Sequence, residues 1–144
     1  MIRNDKVVED VHTGLEWQRA DDGVNKSWSD ACAYCDTLVL DGHDDWRIPE
    51  VEEFNSIVDY TDYDPAIFTE VFNSSSSYYW SGSMPAYTDG AWYVDFRSGY
   101  VDGYDNANDH YVRCVRAGPY RALLWTVSAA LKKSCSLIRM PMLS

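Results

Sequence analysis

Three groups of aspartates occur in stretches whose composition is typical of loops, and carboxylate oxygens are ligands that calcium prefers. The groups are Asp41, Asp44 and Asp45, then Asp59, Asp62 and Asp64, and then Asp102, Asp105 and Asp109. The run 59–64 is not a complete EF-hand loop, so solvated acidic loops are the alternative to a calcium site. We therefore expect no obligatory cofactor, with calcium left open as a ligand of these loops.

Cysteine, histidine and serine can support catalysis, but their spacing here gives little sign of it. Cys32 and Cys35 have the separation of a redox or zinc motif, yet no second cysteine pair at zinc spacing follows. The histidines are too far apart for a catalytic zinc motif, and we expect them in surface loops. They are His12, His43 and His110. No Gly-x-Ser-x-Gly sequence accompanies the serines between 74 and 83, so the sequence predicts a protein that is not an enzyme.

The net charge of −11 is unevenly distributed along the chain. All 23 acidic residues and eight of the 12 lysines and arginines lie within residues 1–118, whereas residues 119–144 hold the other four basic residues. So acidic a body repels phosphate backbones, which argues against a nucleic-acid partner and favours cations or basic surfaces. The sequence contains no run of about 18 apolar residues that would span a membrane.

Hydrophobic spacing predicts the first elements of the fold. Apolar residues alternate over 7–11 and 15–17 around a Thr-Gly turn, which predicts a hairpin of two short strands. Ser27 followed by Asp30 is typical of a helix N-terminus, and apolar residues recur at helical spacing over 28–39. This segment is the strongest helix prediction in the chain.

A second helix and several short strands are predicted after it. Pro49 and the apolar stripe over 51–58 predict a helix that ends near Asp59 and Tyr60. Four further strands are expected at 78–81, 92–97, 100–104 and 111–116, with a polar loop at 105–110. Two helices with short antiparallel strands and 21 aromatic residues predict an α+β domain with aromatic-rich loops that stops near Gly118.

Residues 119–144 have a different composition from the rest of the chain. They form a basic, partly apolar tail, and we expect them to lie outside the 1–118 domain as poorly specified structure. A docking helix, a membrane-surface helix and a non-native extension are the alternatives. The first residues lack the charged start and apolar core of an export signal, so the sequence itself specifies no location.

Several motifs, taken in order over residues 5–118, resemble the bacterial Lcl C-terminal domain family. They are Thr13-Gly14-Leu15-Glu16-Trp17-Gln18, Gly42-His43-Asp44-Asp45-Trp46-Arg47-Ile48-Pro49, Tyr79-Trp80-Ser81, Ala91-Trp92-Tyr93-Val94-Asp95-Phe96 and Tyr111-Val112-Arg113-Cys114-Val115-Arg116. That family ends a collagen-like adhesin and is similar to C-type lectins. The resemblance implies a C-type-lectin-like fold, an extracellular or cell-surface location, and a non-catalytic, adhesin-like role.

The resemblance also implies structural roles for particular residues. In C-type-lectin-like domains the first helix is commonly tied to the last strand, which implies a Cys35–Cys114 disulfide and an oxidising compartment. The structural residues are expected to be Trp46, Arg47, Pro49 and Glu53, with Arg47 and Glu53 forming a partly buried pair. The same segment resembles formylglycine-generating enzymes, which use a late copper-binding cysteine pair. With Cys114 assigned to the fold, we treat that enzyme activity as a remote alternative.

Related lectin-like folds bind ligands on loops of their second half. The residues expected to bind a ligand here combine aromatic faces with polar groups, and they are Tyr87, Asp89, Trp92, Tyr100, Asp102, Tyr104, Asp105, Asn106, Asn108 and His110. The Glu-Pro-Asn and Trp-Asn-Asp motifs of calcium-dependent sugar sites are absent. We expect a glycan or a cell-surface protein as the partner, and the sequence leaves the oligomeric state open.

The composition of these loops suggests one more function. Their Tyr, Asp, Asn, His, Ser, Ala, Gly and Thr residues can all be reached from Asn codons by changing adenines, as in retroelement-diversified proteins. Lectin-like domains are familiar hosts of such programmed variation. A receptor-binding protein with variable loops at about 83–110 is therefore the alternative to an invariant adhesin domain.

Overall fold

The computed structural model describes residues 1–75, 77–84, 90–105 and 107–118, with the backbone alone for Ile2, Asp102, Tyr104 and Asp105. Its elements are β1 (Ile2–Arg3), β2 (Val7–Asp10), β3 (Leu15–Gln18), α1 (Trp28–Thr37), a 3-10 helix (Val51–Ser56), β4 (Tyr78–Trp80), β5 (Ala91–Asp95), β6 (Tyr100–Asp105) and β7 (Val115–Ala117). The chain is an α+β protein, as the sequence predicts. The tail predicted at 119–144 lies outside the described residues, and the boundary near Gly118 stays a prediction.

The first sheet has the strand order β1-β2-β3-β7, and all of its neighbours are antiparallel. The predicted hairpin is confirmed, since β2 and β3 pair with Val8 opposite Trp17. Its turn closes where the N–H of Gly14 donates to the carbonyl of Asp10 at 2.8 Å. Strand β7 then adds to the free side of β3, with Val115 opposite Trp17. The first sheet is therefore completed by the last strand of the domain.

Helix α1 confirms the strongest helix prediction. The hydroxyl of Ser27 accepts a hydrogen bond from the N–H of Asp30 at 3.2 Å, so the helix begins with the expected cap. The buried residues Trp28, Ala31, Cys32 and Cys35 form its inner face. The helix ends at Thr37, two residues before the predicted end.

The second helix differs from its prediction. It is a short 3-10 helix over Val51–Ser56 and not an α-helix that reaches Asp59 and Tyr60. A capping box begins it, in which the Glu53 carboxylate accepts from the N–H of Glu50 at 2.8 Å. After Ile57 the chain turns back on itself, since Val58 pairs with Ile67 and the N–H of Asp59 donates to the carbonyl of Ala66. The apolar stripe is compatible with a helix, but its last residues form this long-range pairing instead of a further helical turn.

The second sheet has the order β4-β5-β6 and is antiparallel. Tyr93 pairs with Gly103 and Val94 with Val101, so Asp102 is an extra residue in β6 and forms a bulge. The predicted last strand over 111–116 is wrong in its extent, because β7 covers only Val115–Ala117. Tyr111 pairs instead with Tyr79 of β4, so the chain crosses from the second sheet to the first between these points.

Arg113 lies fully buried at this crossing and holds the two sheets to the loops between them. Its guanidinium donates to the carbonyls of Gln18 at 2.6 Å, Arg19 at 2.7 Å and Asn73 at 2.8 Å. The centroid of the Phe72 ring lies 5.1 Å from its central carbon, and its Nη2 lies 3.5 Å from the carboxylate of Asp21. Burial lowers the pKa of this guanidinium below its ordinary value, although Tyr79 and Asp21 oppose the shift.

Two hydrophobic clusters form the core, one on each side of the second sheet. The first surrounds α1 and contains Trp28, Trp46 and Trp80, and the second surrounds the 3-10 helix and contains Trp17, Phe54 and Phe96. Cys35 is bonded to Cys114 across 79 residues, which confirms the implied disulfide and fixes α1 to the segment that leads into β7. Among the described residues, no helix is long and apolar enough to cross a membrane.

Candidate functional site

The side chains of the segment Asp45-Trp46-Arg47 bind it to neighbouring parts of the domain. Trp46 is buried and donates from its indole nitrogen to the carbonyl of Leu40 at 3.2 Å. Arg47 binds Glu53 through two parallel hydrogen bonds of 2.7 and 2.8 Å, and its backbone pairs with Val115. Burial alone would lower the pKa of Arg47, but the Glu53 carboxylate outweighs it and raises that pKa. These side chains are committed to the scaffold, as is the buried ring of Pro49.

In the first group of aspartates, for which calcium binding is left open, Asp45 belongs to an ion-pair network. Arg116 donates from Nε to Asp45 at 2.6 Å and from Nη1 to Glu16 at 2.7 Å. Burial by itself would raise the pKa of Asp45, but the hydrogen bonds from Arg116 outweigh it and lower that pKa. Asp45 therefore serves to fix the loop before Trp46 onto β3 and β7.

No three His, Cys, Asp or Glu side chains come together as metal ligands within 1–75, 77–84, 90–105 and 107–118, apart from the backbone-only positions. In the second aspartate group, Asp59 accepts from the N–H and the hydroxyl of Thr61, and Asp62 accepts from the N–H of Tyr63. These bonds shape the loop itself. The side chains of Asp102 and Asp105, from the third group, lie outside the described part of the structure.

One face of the second sheet carries a cluster of aromatic rings that sequence reasoning missed. His110 packs against Trp80 at 4.4 Å, Tyr93 at 4.6 Å and Tyr78 at 5.4 Å between ring centroids. His110 is only 7% exposed, so the expectation that it lies in a surface loop is wrong. The backbone explains this burial, because residue 110 exchanges two hydrogen bonds with Lys26 and is drawn under the loop before α1. His12 and His43 are exposed, as expected.

The predicted ligand-binding residues are brought together only in part. Trp92 is half-buried on β5, and its backbone pairs with Tyr104 of β6. Asp105 pairs with Ala91 at the same end of the sheet, and Asn108 is exposed just beyond it. Tyr100 lies at the opposite end of β6. The remaining expected residues, Tyr87, Asp89 and Asn106, lie outside the described residues.

Three exposed tyrosines gather around the turn between β5 and β6, and we call Tyr60, Tyr63 and Tyr100 the tyrosine surface. Their exposed fractions are 58%, 70% and 66%. The rings of Tyr60 and Tyr100 are 6.1 Å apart at a tilt of 51°. Tyr63 follows three residues after Tyr60 in the same loop. Sequence reasoning found only Tyr100, although two tyrosines in a polar, acidic loop without apolar neighbours were a signal of exposed rings.

An ordered arginine borders the tyrosine surface. Arg97 donates from Nε and Nη2 to the carboxylate of Asp95 at 2.8 to 3.1 Å, and it also donates to the hydroxyl of Tyr78. Its central carbon lies 4.9 Å from the centroid of the Tyr78 ring. Burial alone would raise the pKa of Asp95, but the bonds from Arg97 outweigh it and lower that pKa. The pair is therefore ionised and nearly neutral as a unit at physiological pH.

Comparison with known proteins adds one match. The family model of the Lcl C-terminal domain matches residues 6–116, a span that runs from just before β2 into β7. It covers more than half of the chain and includes α1, the 3-10 helix, the second sheet and both cysteines of the Cys35–Cys114 disulfide. No curated protein matches the chain.

Proposed function

Because the chain belongs to the Lcl C-terminal domain family, we propose that it is a non-catalytic, C-type-lectin-like domain that binds a glycan or a surface protein at an extracellular or cell-surface location. The order of elements supports the lectin-like part of this proposal. An early helix is tied by a disulfide to the last strand segment, and that strand returns to pair beside the opening hairpin. The fold by itself specifies no ligand, so the site must carry the argument.

The disulfide supports the proposed location. Bonds of this kind persist in oxidising environments and are rare in the reducing cytosol. Cys35 and Cys114 are both fully buried, so the bond is an internal tie of the core. The same bond supports a non-catalytic role, because the Cys114 sulfur is engaged and is not a thiol that binds copper.

The observation that carries the proposal is the tyrosine surface. Large apolar side chains are normally buried, and contiguous exposed aromatic groups mark binding sites on soluble proteins. Tyrosine supplies a rigid ring and a polar hydroxyl at small entropic cost, which suits recognition of both sugars and proteins. Here three such rings stand more than half exposed at one end of the second sheet. The rings of Tyr78, Tyr79, Trp80 and Tyr93 in that sheet instead pack on one another or into the core.

A glycan array tests the function with the full chain, run once with calcium and once with a chelator. Selective binding that Tyr100→Ser abolishes would establish a lectin, and its loss in chelator would assign a role to the aspartate groups. Val39→Ser is the matched control, because Val39 is 71% exposed and lies just after α1, away from the tyrosine surface. A protein that binds no glycan on the array and no protein on intact cells would overturn the proposal.

A further inference from the structure

The loop over 59–64 and the turn between β5 and β6 form one connected surface. The N–H of Asp64 donates to the carbonyl of Arg97 at 3.0 Å, and the N–H of Ala66 donates to the carbonyl of Phe96 at 2.6 Å. These bonds place Tyr60 and Tyr63, from the first half of the chain, beside Tyr100 in the second half. The tyrosine surface therefore draws on two segments that are about 40 residues apart in sequence.

The loop that supplies two of the tyrosines is also ordered by its own side chains. The hydroxyl of Tyr60 donates to the side-chain oxygen of Asn55 at 3.2 Å, which holds the ring near the 3-10 helix. Asp59 caps the following turn through Thr61. Because the Tyr60 ring is held before binding, less entropy is lost there when a partner arrives.

The charge around the three rings is negative. Asp59, Asp62 and Asp64 stand in the loop itself, and the nearby Arg97 is already paired with Asp95. Asp59 and Asp62 each use one carboxylate oxygen for turn hydrogen bonds, which leaves the other oxygen of each free to meet a cation. Residues 1–118 are acidic as a whole, so this local field adds to that of the domain.

We propose that the tyrosine surface, together with Asp59 and Asp62, docks a segment of a partner protein that presents lysine or arginine side chains. The inference rests on the proposed ligand-binding function and names the class of partner. Cations are attracted both to the face of a tyrosine ring and to carboxylates, and an arginine can use the two together. The structure already contains one such arrangement beside this surface, in which Arg97 stacks on Tyr78 while it binds Asp95.

The same observations disfavour two other occupants. A second copy of this chain would bring the same negative charge to the contact, and like charges across an interface are costly. An extended strand added to the edge of β6 would meet the bulge at Asp102, which interrupts the regular hydrogen-bond ladder. Side-chain docking of a cationic segment is what this surface fits.

The test measures binding of a synthetic peptide of alternating glycine and arginine to the full chain, by fluorescence anisotropy at low and high salt. A glycine-glutamate peptide and a panel of neutral oligosaccharides are measured in parallel. We expect only the arginine peptide to bind, with backbone NMR shifts confined to the 59–64 loop and the β5–β6 turn. Tyr60→Ser with Tyr100→Ser should weaken its affinity at least about fivefold, as for central aromatic contacts in other interfaces.

Matched variants separate docking from general attraction to an acidic protein. Asp59→Asn with Asp62→Asn should weaken binding at least about fivefold, whereas Asp5→Asn with Asp30→Asn, in the β1–β2 turn and on α1, removes the same charge with little effect. Val24→Ser with Val39→Ser controls for loss of exposed apolar area. Equal losses from both charge pairs, or shifts spread over the whole domain, would overturn the inference. Oligosaccharide binding that the tyrosine variants abolish would overturn it too, yet would leave the proposed function standing. Failure of the arginine peptide to bind would overturn the inference alone, because the proposed function falls only if the chain also binds no glycan on the array and no protein on intact cells.

Discussion

Arg47 and Glu53 face each other as a two-bond ion pair, with Nη1 to Oε1 at 2.7 Å and Nη2 to Oε2 at 2.8 Å. The carboxylate also accepts the N–H of Glu50, so a single side chain both caps the 3-10 helix and neutralises the arginine. Because Arg47 pairs through its backbone with Val115, the ion pair connects that helix to β7. Its role is structural and its geometry is specific to a guanidinium.

We expect Glu53→Gln to lower the free energy of unfolding by about 2–3 kcal/mol, because it leaves a largely buried guanidinium without its counter-charge. Arg47→Lys should lose less, about 1–2 kcal/mol, since an ammonium keeps the charge and loses the paired geometry. Urea unfolding monitored by tryptophan fluorescence measures both. Asp22→Asn, which removes the more exposed carboxylate that pairs with Lys26, should cost less than about 1 kcal/mol and serves as control.

Removing the disulfide with Cys35→Ala and Cys114→Ala together should destabilise the fold by about 4 kcal/mol, because the bond closes a loop of 79 residues. Urea unfolding without reductant gives this difference. Peptide mapping of the unreduced wild type should recover Cys35 joined to Cys114. A dominant Cys32–Cys35 peptide would contradict the structure.

The arginine-paired aspartates predict how stability depends on pH. The pKa values of Asp45 and Asp95 are lower in the folded protein than in the unfolded chain, where an aspartate titrates near about 3.9. Their contribution is therefore complete above that value and is lost as the pH falls through the folded values. We expect the urea midpoint to fall as the pH drops below about 4. Asp45→Asn should be less stable than wild type at neutral pH and lose less of its stability on acidification; an equal loss in both proteins would contradict this.

Gly99 is expected to be intolerant of a side chain for two separate reasons. Its φ of +82° is costly for other residues, and a Cβ there would collide with Cγ1 of Val58. Gly99→Ala should lower stability by about 2–4 kcal/mol, the sum of a backbone cost and an overpacking cost. Gly23→Ala isolates the first cost, because Gly23 has a φ of +72° and open space around it, and it should lose only about 1–2 kcal/mol. Equal losses in the two variants would show that the contact with Val58 relaxes freely.

The parts of this fold that the sequence predicts correctly depend on residues that are close together in the chain. The hairpin of β2 and β3 follows from alternation around one turn, and the start of α1 follows from a cap three residues from its partner. Apolar periodicity predicts too long a second helix, because the pairing of Val58 with Ile67 depends on a turn that periodicity does not show. The extent of the last strand was wrong for a similar reason, since a strand run gives no sign of the point at which the chain leaves one sheet for another.

The candidate site was less predictable, because it depends on which loops meet. The composition of its loop predicts that Tyr100 binds a ligand. Its neighbour Tyr60 comes from a loop in which the sequence indicates only a calcium site at the aspartates. The polar neighbours Asn108 and Asp109 predict a loop position for His110, yet its backbone bonds to Lys26 draw it inward. Both contacts join residues that lie at least 40 positions apart.

The pairing of β3 with β7 also determines the order in which parts of the domain can fold during synthesis. Strands β1 to β3 and helix α1 leave the ribosome first, but one side of β3 stays open until residues 115–117 arrive. Long-range pairings of this kind form late, because the intervening chain must be ordered before they gain any energy. The Cys35–Cys114 disulfide likewise cannot form until Cys114 has been synthesised. An oxidoreductase that completes this bond therefore acts on a nearly finished domain, and a synthesis that stops short leaves an open strand edge for chaperones and proteases to recognise.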